Sequence, residues 1–176
     1  PGDLDACDDG RMRAALLLTL AGCQLVFELE EAPRCVEPLD TYAALPGLDD
    51  GPLYRTELSD RRTWQSAQSL CELEHAPLAV PDSLSERDAL ATALGDGTGW
   101  IGAARNLGDP PDVYHFVTGE LVPLGLWRSG EPDNFEAKEF AAQLVPGEGL
   151  VDKPPEEPKT FQCECDGATA LVTFDF

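Results

Sequence analysis

Trp127-Arg128-Ser129-Gly130-Glu131-Pro132-Asp133-Asn134 is the stretch on which the reading of this chain turns. Taken alone, Glu131 and Asp133 read as solvated turn residues, and two carboxylates say little in a chain with 33 Asp and Glu. Their weight comes from what stands on either side. Upstream, Thr63 caps a run in which Trp64, Ala67, Leu70, Cys71 and Leu73 recur at helical spacing, which predicts a first amphipathic helix. Ser83-Leu84-Ser85-Glu86 has the capping-box pattern and opens a second helix through Leu90 and Leu94, ended by Gly95. Leu53-Tyr54-Arg55-Thr56 suits a strand, and residues 77–80 make a short apolar bridge between the helices. From Trp100-Ile101-Gly102-Ala103 onward the texture is strand and loop, with Asp109-Pro110-Pro111-Asp112 and Lys153-Pro154-Pro155-Glu156 forbidding helix around them. Helices early and strands late predict an α+β domain with an antiparallel sheet. Near-alternation of Leu171, Thr173 and Phe174 in the tail, residues 166–176, predicts one more strand.

Composition narrows the function. The chain has 176 residues, enough for one domain and a short appendage but not for two. Twelve Lys and Arg against 33 Asp and Glu give a net charge of -21, which repels phosphate backbones and excludes nucleic-acid binding as a main activity. Most of that charge reads as solvated surface. Gly97-Thr98-Gly99-Trp100-Ile101-Gly102 matches the dinucleotide fingerprint, but a helix precedes it and a strand follows, the reverse of what that motif needs. No metalloprotease, hydrolase-elbow or Walker sequence occurs, and His75 and His115 stand alone, so the chain reads as non-catalytic.

The first part of the chain reads as an address. Met12 and Arg13 precede an apolar run over residues 14–21, and Leu20-Ala21-Gly22-Cys23 resembles a bacterial lipobox. That resemblance implies cleavage after Gly22, a lipid on Cys23 and an exported protein held on a bacterial membrane, facing the periplasm or cell exterior. The other reading of this segment is a short buried helix starting near Arg11. On the first reading residues 1–22 are a leader, with those before Met12 ahead of the biological start, and residues 23–52, rich in Glu, Asp, Pro and Gly, are a tether. Cys35, Cys71, Cys163 and Cys165 then remain, an even number that suits two disulfides outside the reducing cytosol. Cys163-Glu164-Cys165 lacks the two-residue spacer of a zinc knuckle.

The stretch at Trp127, together with Thr63-Trp64 and Cys71, Leu78-Ala79-Val80, Trp100-Ile101-Gly102 and the closing Phe161-Gln162-Cys163-Glu164, resembles a C-type lectin-like domain over residues 53–165. The resemblance implies two helices flanking antiparallel sheets, a long irregular loop region and a disulfide between Cys71 and Cys163. The family's second bridge is missing at both ends, where Ala141 and Pro155 stand, which leaves Cys35 and Cys165 as partners by elimination.

What the resemblance implies for binding follows from counting along the loop. Calcium-dependent members surround one ion with the Glu-Pro-Asn segment, a Glu eight residues on and an Asn-Asp pair at the loop's end. Here those positions are Glu131, Asp133, Glu139, Val151 and Asp152, so four carboxylates supply the oxygens that a hard cation takes. The Glu131-Pro132 bond is expected to be cis. Family members bind vicinal sugar hydroxyls on the ion, with Glu accepting and Asn donating hydrogen bonds. Asp133 and Val151 remove both amide donors, so Asn134 is the remaining amide for ligand contact, beside Glu131, Asp133 and Glu139. Two functions stay open: a carbohydrate-binding module for a glycan or cell-surface polymer, with calcium, or a calcium-independent module that binds a protein on the same fold.

Overall fold

The structure is a computed structural model that describes residues 18–20, 23–25, 35, 41–48, 51–168 and 170–176. Two compact units divide the chain, Pro1–Glu31 and Ala32–Phe176. In the first, strands β1 (Leu18–Leu20) and β2 (Cys23–Leu25) pair antiparallel with Leu20 opposite Cys23. The helix read as an alternative for this segment is therefore not its backbone conformation at these six positions, while the rest of the leader and the Cys23 side chain lie outside the described residues. No described helix is long and apolar enough to cross a membrane.

The second unit starts with β3 (Leu53–Arg62) and α1 (Trp64–Leu73). Thr63 caps α1, its side chain accepting from Ser66 N, and the buried face is Trp64, Ala67, Gln68 and Cys71. Leu73 is not on that face but 76% exposed, one step off the stripe. Helix α2 (Leu84–Leu94) starts at Ser83, whose Oγ accepts from Glu86 N, and stops at Gly95, where φ is 63°. The capping box is only half made. Glu86 does not reach back to Ser83; its carboxylate accepts from Tyr54 OH and from Asp82 N, which draws the helix onto β3.

The remaining strands are β4 (Gly99–Ala104), β5 (His115–Phe116), β6 (Ala141–Val145), β7 (Gly149–Lys153) and β8 (Lys159–Cys165). They form one sheet with β3 in the order β3-β8-β4-β6-β7, with β5 on β4. The expectation of an antiparallel sheet holds for all pairs but one: β4 and β8 run parallel, Trp100 opposite Phe161. Alternation along β4 sends Ile101 and Ala103 into one apolar cluster, with Leu90, Leu94, Tyr114 and Leu150, and Trp100 and Ala104 into another, with Trp64, Leu78, Phe161 and Phe174. Between them Gly102 is obligatory in kind, because a Cβ there would sit 2.5 Å from the Leu78 carbonyl oxygen.

Both expected disulfides are present, Cys71–Cys163 and Cys35–Cys165, with Cα separations of 5.5 and 5.8 Å. The second one corrects the reading of residues 23–52 as a bare tether. Cys35, Tyr42 and Leu45 are buried, Ala43 pairs with Tyr54, and Tyr42 OH donates to Glu74 Oε2 at 2.8 Å. Where the family's second bridge is missing, Ala141 is buried in β6 and the Pro155 carbonyl accepts from Trp64 N at 2.9 Å. The tail is not the expected strand. Its backbone makes isolated bonds, Leu171 N and Val172 N both donating to the Val117 carbonyl, and it turns Phe174 and Phe176 edge-on to Trp64 at 5.6 Å. Two bonds converging on one carbonyl make no ladder, so aromatic burial decides its course.

Candidate functional site

The site is built on the end of β7 and the loop between the 3-10 turn at Leu124–Leu126 and β6. Strand β7 presents Asp152, fully buried, as the hub. Its Oδ1 accepts from Asp133 N at 3.2 Å; its Oδ2 accepts from Asn134 N at 2.8 Å and from Tyr114 OH at 3.1 Å. One carboxylate thereby wraps the loop around itself. The Glu131-Pro132 peptide is cis, as expected, and Asn134 takes left-handed angles, φ 48° and ψ 49°.

Glu131, Asp133 and Asp152 each offer a carboxylate oxygen within 4.8 Å of the others. Three of the four residues read from the sequence are thus brought together. Glu139, the fourth, is buried but turned aside: Oε1 accepts from Lys153 Nζ at 2.8 Å and Oε2 from Phe135 N at 2.8 Å. Asn134 supports it, its side-chain oxygen accepting from Glu139 N at 3.2 Å. Val151, at the expected amide position, is buried and supplies no donor.

The electrostatics are those of carboxylates crowded without enough donors. The Glu131 side chain is 7% exposed; one oxygen accepts from Arg128 Nη2, and the other, Oε2, is buried without any partner. Burial first, then the neighbouring Asp152 carboxylate, pushes the Glu131 carboxyl above its ordinary range. Burial also raises Glu139, against the pull of Lys153 and the Phe135 N–H. Burial works against the charge on Lys153, but Glu139 and the other site acids outweigh it and hold the ammonium above its usual value. Burial and the Asp152 charge keep the Tyr114 phenol protonated, so it acts as a donor.

Four residues that shape the site carried no role in the sequence reading. Arg128 bridges Glu131 and Glu148, at 2.7 Å from the latter. Lys153 holds Glu139, and Tyr114 OH and Arg105 Nε both donate to the Glu139 carbonyl, at 2.8 and 3.1 Å. Arg128 and Lys153 flank the acids in sequence, a signal that could have been read. Tyr114 and Arg105 reach the site only through the fold.

No family model matches the chain. Among curated proteins it is 28% identical over 109 residues to human C-type lectin domain family 10 member A, covering 58% of this chain and 33% of that protein. To C-type lectin lectoxin-Phi1 of Philodryas olfersii it is 31% identical over 94 residues, covering 50% and 59%. The chain thus spans between a third and three-fifths of these relatives' length. Among solved structures, the carbohydrate-recognition domain of the mouse scavenger receptor C-type lectin superposes with a TM-score of 0.61 at 20% identity, over 73% of this chain and 95% of that one. The cow CD23 domain, solved in the presence of GlcNAc2Man3 oligosaccharide, gives 0.61 at 18%, over 74% and 96%. The fold is that of a C-type lectin-like domain, and the reading of a non-catalytic binding domain agrees with these relatives.

Proposed function

We propose that this chain, a C-type lectin-like domain by its fold, binds carbohydrate at the loop face around Asp152, with a calcium ion held by Glu131, Asp133 and Asp152. The observation that carries the reading is the orphaned Glu131 Oε2, buried within a cluster of three carboxylates that span 4.8 Å. A buried carboxylate oxygen without a donor is costly, and a hard cation that takes oxygen ligands removes that cost. When bound, the ion would neutralise the acids and offer coordination positions to sugar hydroxyls. The chain's own residues prepare the surface. Asp152 fixes the loop backbone through two N–H groups, Tyr114 orients Asp152, and Asn134, anchored by its side-chain oxygen, leaves its Nδ2 to donate to a ligand. Asp133, exposed, can accept but not donate.

The test is thermal unfolding in millimolar calcium against chelator. Saturation near 100-fold over the dissociation constant stabilises by about 2.7 kcal/mol, a rise of roughly 5 to 10 °C for a chain this size. Glu131→Gln should abolish the rise, and a glycan array should show binding lost in chelator.

One observation favours a second reading, a calcium-independent protein-binding module: Lys153 on Glu139 and Arg128 on Glu131 already bring two cations to the acids. No thermal shift with calcium, together with an empty glycan array, would select it.

We also take the protein to be exported and anchored through lipid on Cys23 to a bacterial membrane. The lipobox-like Leu20-Ala21-Gly22-Cys23 and the two disulfides support this. Metabolic labelling with palmitate in a bacterial host should mark the chain but not Cys23→Ala; equal labelling of both would refute the anchor.

A further inference from the structure

A cleft of about 700 Å³ lies apart from the loop site, none of its walls coming from residues 127–153. Four carboxylates line it: Asp82 before α2, Glu120 after β5, and Glu164 and Asp166 at the end of β8. None of the four is within ion-pair distance of a Lys or Arg among the described residues. Glu164 is the informative one. It is 5% exposed; its Oε2 accepts from Val80 N at 2.8 Å, and its Oε1 has no partner although the side chain forms part of the cleft wall. Two apolar side chains stand at the same cleft in the open, Leu121 at 61% and Leu171 at 75% exposure.

Each candidate ligand class meets these facts differently. An anion is repelled by all four acids. A neutral sugar leaves the Glu164 charge buried and unpaired, which is the arrangement that costs most. A bare metal ion gives the two leucines nothing to cover. A positive charge on an apolar stem satisfies both, since Lys and Arg lay their methylenes on apolar surface while the head group reaches a carboxylate. We infer that this cleft is a second binding site, independent of the loop site, and that it takes a basic, partly apolar peptide segment of a protein partner. A Lys or Arg of that segment reaches Glu164, Glu120 and Asp166 supply the surrounding field, and Leu121 and Leu171 pack on the partner's apolar side chains.

The experiment titrates a short peptide of alternating Lys and Leu into the isotopically labelled protein in chelator, which keeps it separate from any calcium-dependent binding. Amide resonances report where the peptide lands. The expected result is saturable shifts centred on Thr118, Glu120, Asp166 and Leu171, with affinity about tenfold weaker in the doubly substituted Glu120→Gln, Asp166→Asn variant. Both of those side chains are exposed, so the variant keeps its fold, and Glu164→Gln serves as the stronger lesion once its melting curve shows it folded. Asp96→Asn with Glu156→Gln, exposed acids outside the cleft, should leave the affinity unchanged. Shifts spread evenly over the acidic surface, equal affinity in the Glu120 and Asp166 variant, or equal binding by a Lys and Ser peptide would each overturn the site.

Discussion

Glu164 is a buried acid that the fold keeps short of partners. Burial foremost, and the charges of Glu86, Asp166 and Asp82 beyond it, push its carboxyl up to about 8, well above an ordinary glutamate. Glu86 is raised to about 7, again chiefly by burial, even though Tyr54 OH donates to it. A folded-state value above the unfolded one means that the native state prefers the protonated acid. The stability this contributes is fully present below the ordinary value near 4.5 and is lost as pH rises through about 7 to 8. The protein should therefore melt at lower temperature at pH 9 than at pH 6. Glu164→Gln keeps an acceptor for Val80 N and removes the charge, so at pH 9 it should be more stable than the parent, by about 1 to 3 kcal/mol, with a flatter pH profile. Denaturant melts of both chains across that range decide it. A variant that is less stable at every pH would mean that the ionised Glu164 is satisfied in the fold.

At the scale of elements, the cysteines and the helix caps were legible in the sequence and the course of the tail was not. Thr63 and Ser83 announce α1 and α2 because an N-cap is a local event, settled within four residues. The Glu131, Asp133 and Asp152 cluster was reachable by counting along a known loop pattern, whereas the withdrawal of Glu139 depends on Lys153, whose ammonium competes for it across β7. The tail's alternation predicted a strand, but its two N–H donors share the Val117 carbonyl and its phenylalanines find Trp64, contacts with no local signature. Residues 41–48 were misread for the same reason: Tyr42 and Leu45 are isolated apolar residues in polar text, and only the Cys35–Cys165 bond marks them as part of the domain. That bond spans 130 residues, for which chain entropy predicts about 4 to 5 kcal/mol as an upper figure. Replacing both cysteines by Ser should cost about 2 to 4 kcal/mol in urea unfolding, and the segment around Tyr42 should exchange its amide hydrogens first. Global loss of stability with unchanged exchange at 41–48 would place the bond's effect elsewhere.

The whole molecule carries a charge of -21 on 176 residues, and the ion pairs among its described residues involve few of its 33 acids. Self-repulsion of that size opposes compaction, and it acts over distances that salt can screen. Two opposing effects set the outcome. Screening weakens the exposed pairs, such as Lys138 with Glu136, but exposed pairs contribute less than about 1 kcal/mol each at best. Repulsion among uncompensated acids is summed over the whole surface, so it should dominate. Raising sodium chloride from about 10 mM to about 0.5 M, which shortens the screening length from roughly 30 Å to a few Å, should therefore raise the melting temperature in chelator by several degrees. The same rise is expected from any monovalent salt, because no specific site is involved. Calcium should add a further, saturable increment at constant ionic strength, and Glu131→Gln should remove that increment while leaving the response to sodium chloride intact. A melting temperature that falls with sodium chloride would show that ion pairing, not repulsion, governs this surface.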